Sequence, residues 1–317
     1  MAKPDILQLS PFPAWDQQAL EEAFTVHSLH GTIDAGEIPD RIGPKIRGMA
    51  PRGIHRVTRP MIAACPNLEI IAVFGVGYDG VDLDACRENG VRVTNTPDVL
   101  TGDVADLGVA MMLALSRRMV AAERWVKSGD WIRHGAFALS HRVHGQRAGV
   151  LGLGRIGMAV ARRLAGFDMR IAYSDLSPRA DTTDWEFVPD TEELAARSDF
   201  LFVTLAATAD THHIVNAGVL SALGPEGMVI NISRAANVDE RALLDALESG
   251  TVGGAALDVF EGEPSINPRF VKLDNVLLQP HHASGTFQTR RAMGKLMIEN
   301  LKAHFDGRPL PSPVLEP

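Results

Sequence analysis

The 317-residue chain contains only two cysteines, Cys65 and Cys86. Neither has a His or Cys neighbour at ligand spacing, which argues against a zinc site and for no metal. So few thiols fit a reducing, intracellular compartment. No apolar run approaches the roughly 18 residues of a membrane span. An excess of positive charge is also missing. Lys and Arg total 31 against 39 Asp and Glu, for a formal net charge of -8. That balance offers no footprint for nucleic acid or for an anionic membrane, although a local basic pocket for a small anion remains open. The opening MAKPDILQLSPFPAW has no signal-peptide core and reads as mature protein, so the expected location is cytoplasmic.

The chain is 45% hydrophobic and 22% charged, ordinary for a globular protein, and long enough to predict two domains. Short apolar runs alternate with helical stretches from the start. LEIIAVF, residues 68–74, is a strong β run bounded by Pro66 and Gly75. Residues 101–118 form the longest early helical stretch, with Thr101 as a candidate cap, and a domain crossover is expected just before it. From Arg147 onward at least six strands alternate with helices, which predicts a doubly wound parallel sheet. A final helix over 286–305 is expected to return the chain to the first domain. Trp125 and the loop after it offer aromatic side chains for partner contact or for packing within the chain.

The central signal is VLGLGRIG, residues 150–157. Gly152, Gly154 and Gly157 fit G-x-G-x-x-G between a β run and a helix. The first glycine permits the tight turn, the second lets a pyrophosphate approach the backbone, and the third lets helix and strand pack closely. Amides at the helix start then face the diphosphate. Asp175, just after the following strand MRIAY, stands where an acid accepts hydrogen bonds from the adenosine ribose. A carboxylate there repels a 2'-phosphate, and Leu176 occupies the next position. NAD(H) is therefore favoured over NADP(H), although Arg179 lies near enough in sequence to meet a phosphate.

Reacting groups belong at the carboxyl ends of the strands. Arg234 follows MVINI, Glu263 follows LDV in the EGEP loop, and His281 follows VLLQP. A histidine donates a proton near neutral pH. A carboxylate beside a histidine orients it and favours its charged form. An arginine provides a bidentate fork for an anionic substrate. The three types suit reduction of a 2-keto acid by nicotinamide. His212 and His213 read as exposed polar positions.

Four ordered motifs carry a resemblance that spans nearly the whole chain: VLGLGRIG, NISRAANVDE (231–240), GGAALDVFEGEP (253–264) and QPHHASGT (279–286). The sequence resembles the D-isomer-specific 2-hydroxyacid dehydrogenase family, most closely its glyoxylate/hydroxypyruvate reductase branch with hydroxyphenylpyruvate-reducing relatives. The resemblance implies that Arg234, Glu263 and His281 are catalytic. It also implies that Val76 and Gly77, with Tyr78 nearby, bind the substrate carboxylate through loop amides, a role such glycine-rich loops fit physically. Cofactor contacts are implied for Thr101, Val104, Arg155, Ile156, Ser233, Asp258 and His281, in addition to the fingerprint glycines and Asp175.

The implied architecture is α/β with two Rossmann-like parallel-sheet domains. A cofactor domain over 99–286 is inserted in a discontinuous substrate domain over 1–98 and 287–317. The implied activity is NAD(P)H-dependent, reversible reduction of a small 2-keto acid (glyoxylate, hydroxypyruvate or an aryl pyruvate) to the D-2-hydroxy acid, by a homodimer joined through its cofactor domains. That pairing gives Trp125 and Trp131 a home. Three departures stand out: Ala235 replaces the usual glycine after the arginine, His282 replaces an apolar residue after the histidine, and Leu176 replaces an arginine common in the branch. An NAD-linked isomerase or hydrolase, and an NAD-binding corepressor or sensor without significant turnover, share the cofactor fold. The complete Arg-Glu-His set favours the dehydrogenase.

Overall fold

The computed structural model describes residues 3–29, 37–182 and 184–317. The chain forms two compact units, Met1–Leu100 with Ser284–Pro317, and Thr101–Ala283. The first opens with strand β1 (Asp5–Gln8), helix α1 (Ala14–Ala23), β2 (Thr25–Ser28), β3 (Ile46–Ala50), α2 (Arg59–Ala63), β4 (Ile70–Ala72), α3 (Leu83–Glu88) and β5 (Arg92–Thr94). The second unit contains helices α4 (Thr101–Ser116), α5 (Met119–Lys127) and α6 (Asp130–His134). It continues through β6 (Arg147–Leu151), α7 (Arg155–Ala165), β7 (Arg170–Ser174), β8 (Glu186–Phe187), α8 (Thr191–Ala196), β9 (Phe200–Val203), α9 (Ala217–Leu223), β10 (Met228–Asn231), α10 (Glu240–Ser249), β11 (Gly254–Leu257) and β12 (Val276–Leu278). Helix α11 (Phe287–Phe305) and β13 (Pro313–Leu315) complete the first.

The strands of the second unit lie in the order β12-β11-β10-β9-β6-β7-β8. Every pairing is parallel, so both faces of the sheet need cover and the inner strands are apolar throughout. Phe200, Leu201, Phe202 and Val203 of β9 are all buried, as are Met228, Val229 and Ile230 of β10. Helix α7 buries Gly157, Met158, Val160, Ala161 and Leu164, one face at helical spacing. The chain winds from β6 out to β8, then crosses back to β9 and on to β12. The switch point therefore lies at the carboxyl ends of β6 and β9, where a sheet of this kind holds its ligand.

In the first unit the order is β13-β5-β4-β3-β1-β2. Five strands are parallel, and β13 closes the edge antiparallel to β5. The sheet is thus mixed rather than wholly parallel. Its core includes Leu7, Ile46, Met49, Ile71 and Val93. Helix α4 begins at Thr101 itself, so Thr101 is its first residue rather than its cap. It stops at Ser116, two residues short of the sequence expectation, because Arg118 turns left-handed (φ 49°) and redirects the chain into α5. Among the described residues no helix is long and apolar enough to cross a membrane.

Candidate active site

The fingerprint occupies the switch point of the second unit. Gly152 leaves β6 at φ +90°, a left-handed value glycine adopts without steric cost. A side chain on Gly157 would lie 2.0 Å from the Gly152 carbonyl oxygen and 2.8 Å from Thr204 Oγ1, so only glycine lets α7 start against the strand. The Thr204 hydroxyl fastens this turn, donating to the carbonyls of Gly152 at 2.6 Å and Leu151 at 3.1 Å. Gly154 precedes the 11-residue helix α7 without any side-chain cap, and a Cβ there would meet nothing within 4 Å. The uncapped helix start and the open space beside Gly154 fit a dinucleotide pyrophosphate. Arg155 and Ile156 form the first turn of that helix.

Asp175 follows β7 and turns back over the fingerprint. Its Oδ2 accepts from the Leu153 N–H at 3.0 Å, and its Oδ1 accepts from the Leu176 N–H at 2.8 Å. The Leu176 side chain is fully exposed. Arg179 is held by Asp181 through both carboxylate oxygens, at 3.0 and 3.2 Å. Sequence spacing placed Arg179 near a phosphate, but it did not reveal this competing anion.

The reacting candidates gather at the carboxyl ends of β10, β11 and β12. Glu263 Oε2 lies 2.7 Å from His281 Nδ1, and its Oε1 accepts the Phe260 N–H at 2.7 Å. With Nδ1–H donating to the carboxylate, Nε2 is the atom left for proton exchange. Burial would raise the Glu263 carboxyl. The hydrogen bond and charge of His281, the Phe260 amide and the charge of Arg234 outweigh it and hold the group below its ordinary value. His281 itself sits at φ 50°, a strained backbone for a non-glycine residue.

Asp258 explains how that conformation is kept. It is 1% exposed, and its two oxygens accept the N–H groups of His282 at 2.8 Å and Ala283 at 2.9 Å. Burial pushes its carboxyl up, against those two amides and the charges of His281 and His282. Both oxygens are therefore engaged by the histidine turn itself. The His282 side chain is exposed, so its polar ring needs no buried partner.

Arg234 is half-buried on extended backbone after β10, with Nη1 donating to the Ser233 carbonyl at 3.0 Å. Ala235 starts a short 3-10 turn and is not at positive φ, so a side chain there replaces glycine without backbone strain. The loop is shaped by two buried asparagines that the sequence reading did not single out. Asn231 Oδ1 accepts from the Ser233 N–H and hydroxyl, at 3.0 and 2.8 Å, while its Nδ2 donates to the Arg234 carbonyl at 3.1 Å. Asn237 Nδ2 donates to Ser233 Oγ at 3.0 Å and to the Leu205 carbonyl at 3.1 Å. The available signal was two amides bracketing the arginine in NISRAAN.

Thr101 and Val104 stand on the first turn of α4, with Val104 buried. Val76, Gly77 and Tyr78 belong to the other unit, in the loop after β4. Their N–H groups donate to no backbone carbonyl among the described residues, while Asn95 Nδ2 pins the Val76 carbonyl at 2.8 Å. Among the described residues no three His, Cys, Asp or Glu side chains converge as a metal site, and both cysteines are free and buried.

Residues 109–283 match the family described as D-isomer specific 2-hydroxyacid dehydrogenase, NAD binding domain. The structure of a 2-hydroxyacid dehydrogenase from Ketogulonicigenium vulgare superposes with a TM-score of 0.92 at 62% identity, over 100% of this chain and 99% of that one. An NADPH-dependent glyoxylate/hydroxypyruvate reductase from Sinorhizobium meliloti, solved with NADP and malonate, gives a TM-score of 0.94 at 42% identity, over 99% and 98%. Hydroxyphenylpyruvate reductase from Plectranthus scutellarioides is 42% identical over 310 residues, 98% of each chain. With two Rossmann-like units and matches of this extent, the chain belongs to the D-isomer-specific 2-hydroxyacid dehydrogenase family, as an NAD(P)-dependent enzyme close to the glyoxylate/hydroxypyruvate reductases.

Proposed function

We propose that the chain reduces small 2-keto acids, glyoxylate and hydroxypyruvate foremost and aryl pyruvates among the alternatives, to D-2-hydroxy acids, with NADH preferred over NADPH. The observation that carries the reading is the Glu263–His281 pair, 2.7 Å apart, with Arg234 charge acting on the same carboxylate. The unit over 101–283 is assigned the cofactor and the other unit the substrate carboxylate. Val76 and Gly77 amides bind that carboxylate, beside Tyr78, and Arg234 holds the keto oxygen. His281 Nε2 donates the proton to that oxygen, while Glu263 fixes the ring through Nδ1. Bound nicotinamide supplies the hydride. In the reverse direction neutral His281 accepts the hydroxyl proton.

The fingerprint glycines, Arg155, Ile156, Asp175, Ser233, Thr101, Val104 and Asp258 line the proposed cofactor site. Asp175 opposes a 2'-phosphate, Leu176 brings no cation, and Arg179 is already paired with Asp181. These support NADH even though the Sinorhizobium relative is NADPH-dependent. A homodimer is proposed through α5 and α6, where Trp131 is 61% and Ile132 94% exposed. Trp125 instead packs within the chain, its Nε1 donating to the Gly135 carbonyl at 3.1 Å. A cytoplasmic location is proposed from the two unpaired thiols. The test is steady-state turnover of glyoxylate, hydroxypyruvate and phenylpyruvate with each cofactor. Higher kcat/KM with NADH supports the reading. Consumption of neither cofactor with any of the three acids refutes the substrate assignment.

A further inference from the structure

Glu263 meets His281 only if the turn that carries it is held in place. The chain leaves β11 through Asp258 and Val259 and is anchored by the Phe260 ring, which is buried edge-on against Phe270 with centroids 5.8 Å apart. Gly262 follows at φ 70°, and its carbonyl accepts the Ser265 N–H at 2.9 Å. Two successive amides stand between these fixed points. The Phe260 N–H donates to Glu263 Oε1 at 2.7 Å, and the Glu261 N–H donates to Glu240 Oε2 at 2.9 Å. Both amides flank the Phe260 Cα. With planar peptides and two soft dihedrals between them, a bond that fixes one restricts the other.

Glu240 is the first residue of α10, at the end of the loop that carries Arg234. An acid there commonly serves the helix start. That need is already met, because Asp239 caps the helix by accepting the Ala242 N–H at 3.0 Å. Glu240 is instead partly withdrawn from water. Burial pushes its carboxyl up, against the Glu261 amide, and the Glu261 carboxylate adds to the rise. A partly buried acid beside another acid is unfavourable unless its hydrogen bonds offset the cost. The Glu261 amide is such a bond.

The segment over 213–215 backs the same junction. The His213 N–H donates to the Ala236 carbonyl at 2.8 Å, the Val215 N–H to the Asn237 carbonyl at 3.0 Å, and the Asp239 N–H to the Val215 carbonyl at 3.0 Å. His213 Nε2 also lies 3.7 Å from Glu261 Oε1. The backbone before Glu240 is thus fixed, and its side chain crosses from the Arg234 loop to the Glu263 turn. We propose that Glu240 is a positioning residue that keys the Glu263 turn to the Arg234 loop, acting as the acceptor for the Glu261 amide and so keeping Glu263 in place to orient His281. The assignment rests on the reading that His281, held by Glu263, moves the proton.

The test is steady-state reduction of hydroxypyruvate across pH by the wild type, Glu240→Ala, Glu240→Asp, Glu240→Gln, Glu263→Gln and the double variant Glu240→Ala/Glu263→Gln. NADH affinity is measured by fluorescence and folding by circular dichroism. Glu240→Ala should lower kcat by about ten-fold with NADH affinity retained, the scale of a small misplacement. The alkaline limb of its kcat/KM should also move to lower pH, because a histidine that loses its carboxylate releases its proton more readily. Glu240→Asp keeps an acid on the first turn of α10 but shortens its reach. It should share both effects, even if the Ala variant fails to fold. Glu240→Gln still offers an oxygen acceptor and should restore both. In the double variant the loss of Glu240 should add nothing to the loss from Glu263→Gln. Wild-type kcat and alkaline limb in the folded Ala or Asp variant overturn the proposal. So does a Gln variant as impaired as Asp, or a fully additive double variant. Wild-type turnover and pH profile in Glu263→Gln fail the underlying Glu263–His281 reading instead.

Discussion

Asp16 and Glu263 are both carboxylates withdrawn from water, and they respond to pH with opposite sign. Asp16 on α1 is 4% exposed, its Oδ2 has no hydrogen-bond partner among the described residues, and it abuts Gly294 of α11 so closely that a Cβ there would lie 2.0 Å from its Oδ1. Burial pushes it up to about 6, against a Trp15 hydrogen bond and the charge of Arg291. A raised acid binds its proton more tightly when folded, so stability falls as pH rises from the unfolded value to about 6. Asp16→Asn should stabilise the protein at pH 7.5, with the gain shrinking toward pH 4, as urea unfolding at both pH values will show. Glu263 is held low, so its contribution is complete at neutral pH and is lost as pH falls through its folded value. Glu263→Gln should flatten the acid side of the stability profile, and an unchanged acid limb would contradict the pairing.

At the scale of elements, the α7 start and the turn before it depend on a backbone approach that tolerates no side chain. Gly157→Ala should cost about 1–3 kcal/mol, the usual penalty of overpacking, and weaken NADH binding measured by nucleotide fluorescence. The loop after β7 offers a second test. Asp175→Ala removes the carboxylate and should raise the NADPH-to-NADH ratio of kcat/KM, while also freeing the Leu153 N–H. Long or strongly patterned elements were legible: the buried β9 and β10, the apolar face of α7 and the glycine turn each follow from residue type and spacing. Short ones were not. β8 is two residues, and β13 is three residues beginning at Pro313, held by pairing with β5 and by no pattern of its own. The site divides similarly. Motif resemblance named Glu263 and His281, whereas the Asn231–Ser233–Asn237 network depends on side-chain packing between loops that no periodicity encodes.

For the whole molecule, family membership rests on matches that span both units and on motifs that occur in order along the chain. Met119, Val120, Val126, Trp131 and Ile132 of α5 and α6 are exposed in the single chain and form the apolar surface that the proposed dimer would cover. Ile132→Glu should convert the proposed dimer to monomer in light scattering, and a wild type already monomeric at micromolar concentration would refute it. The central claim is that His281, held by Glu263, moves the proton. It is tested most directly by the kcat of His281→Gln with hydroxypyruvate, measured alongside its NADH affinity. A loss of about 100-fold or more in kcat with NADH binding retained is the predicted result. Turnover equal to the wild type would contradict it.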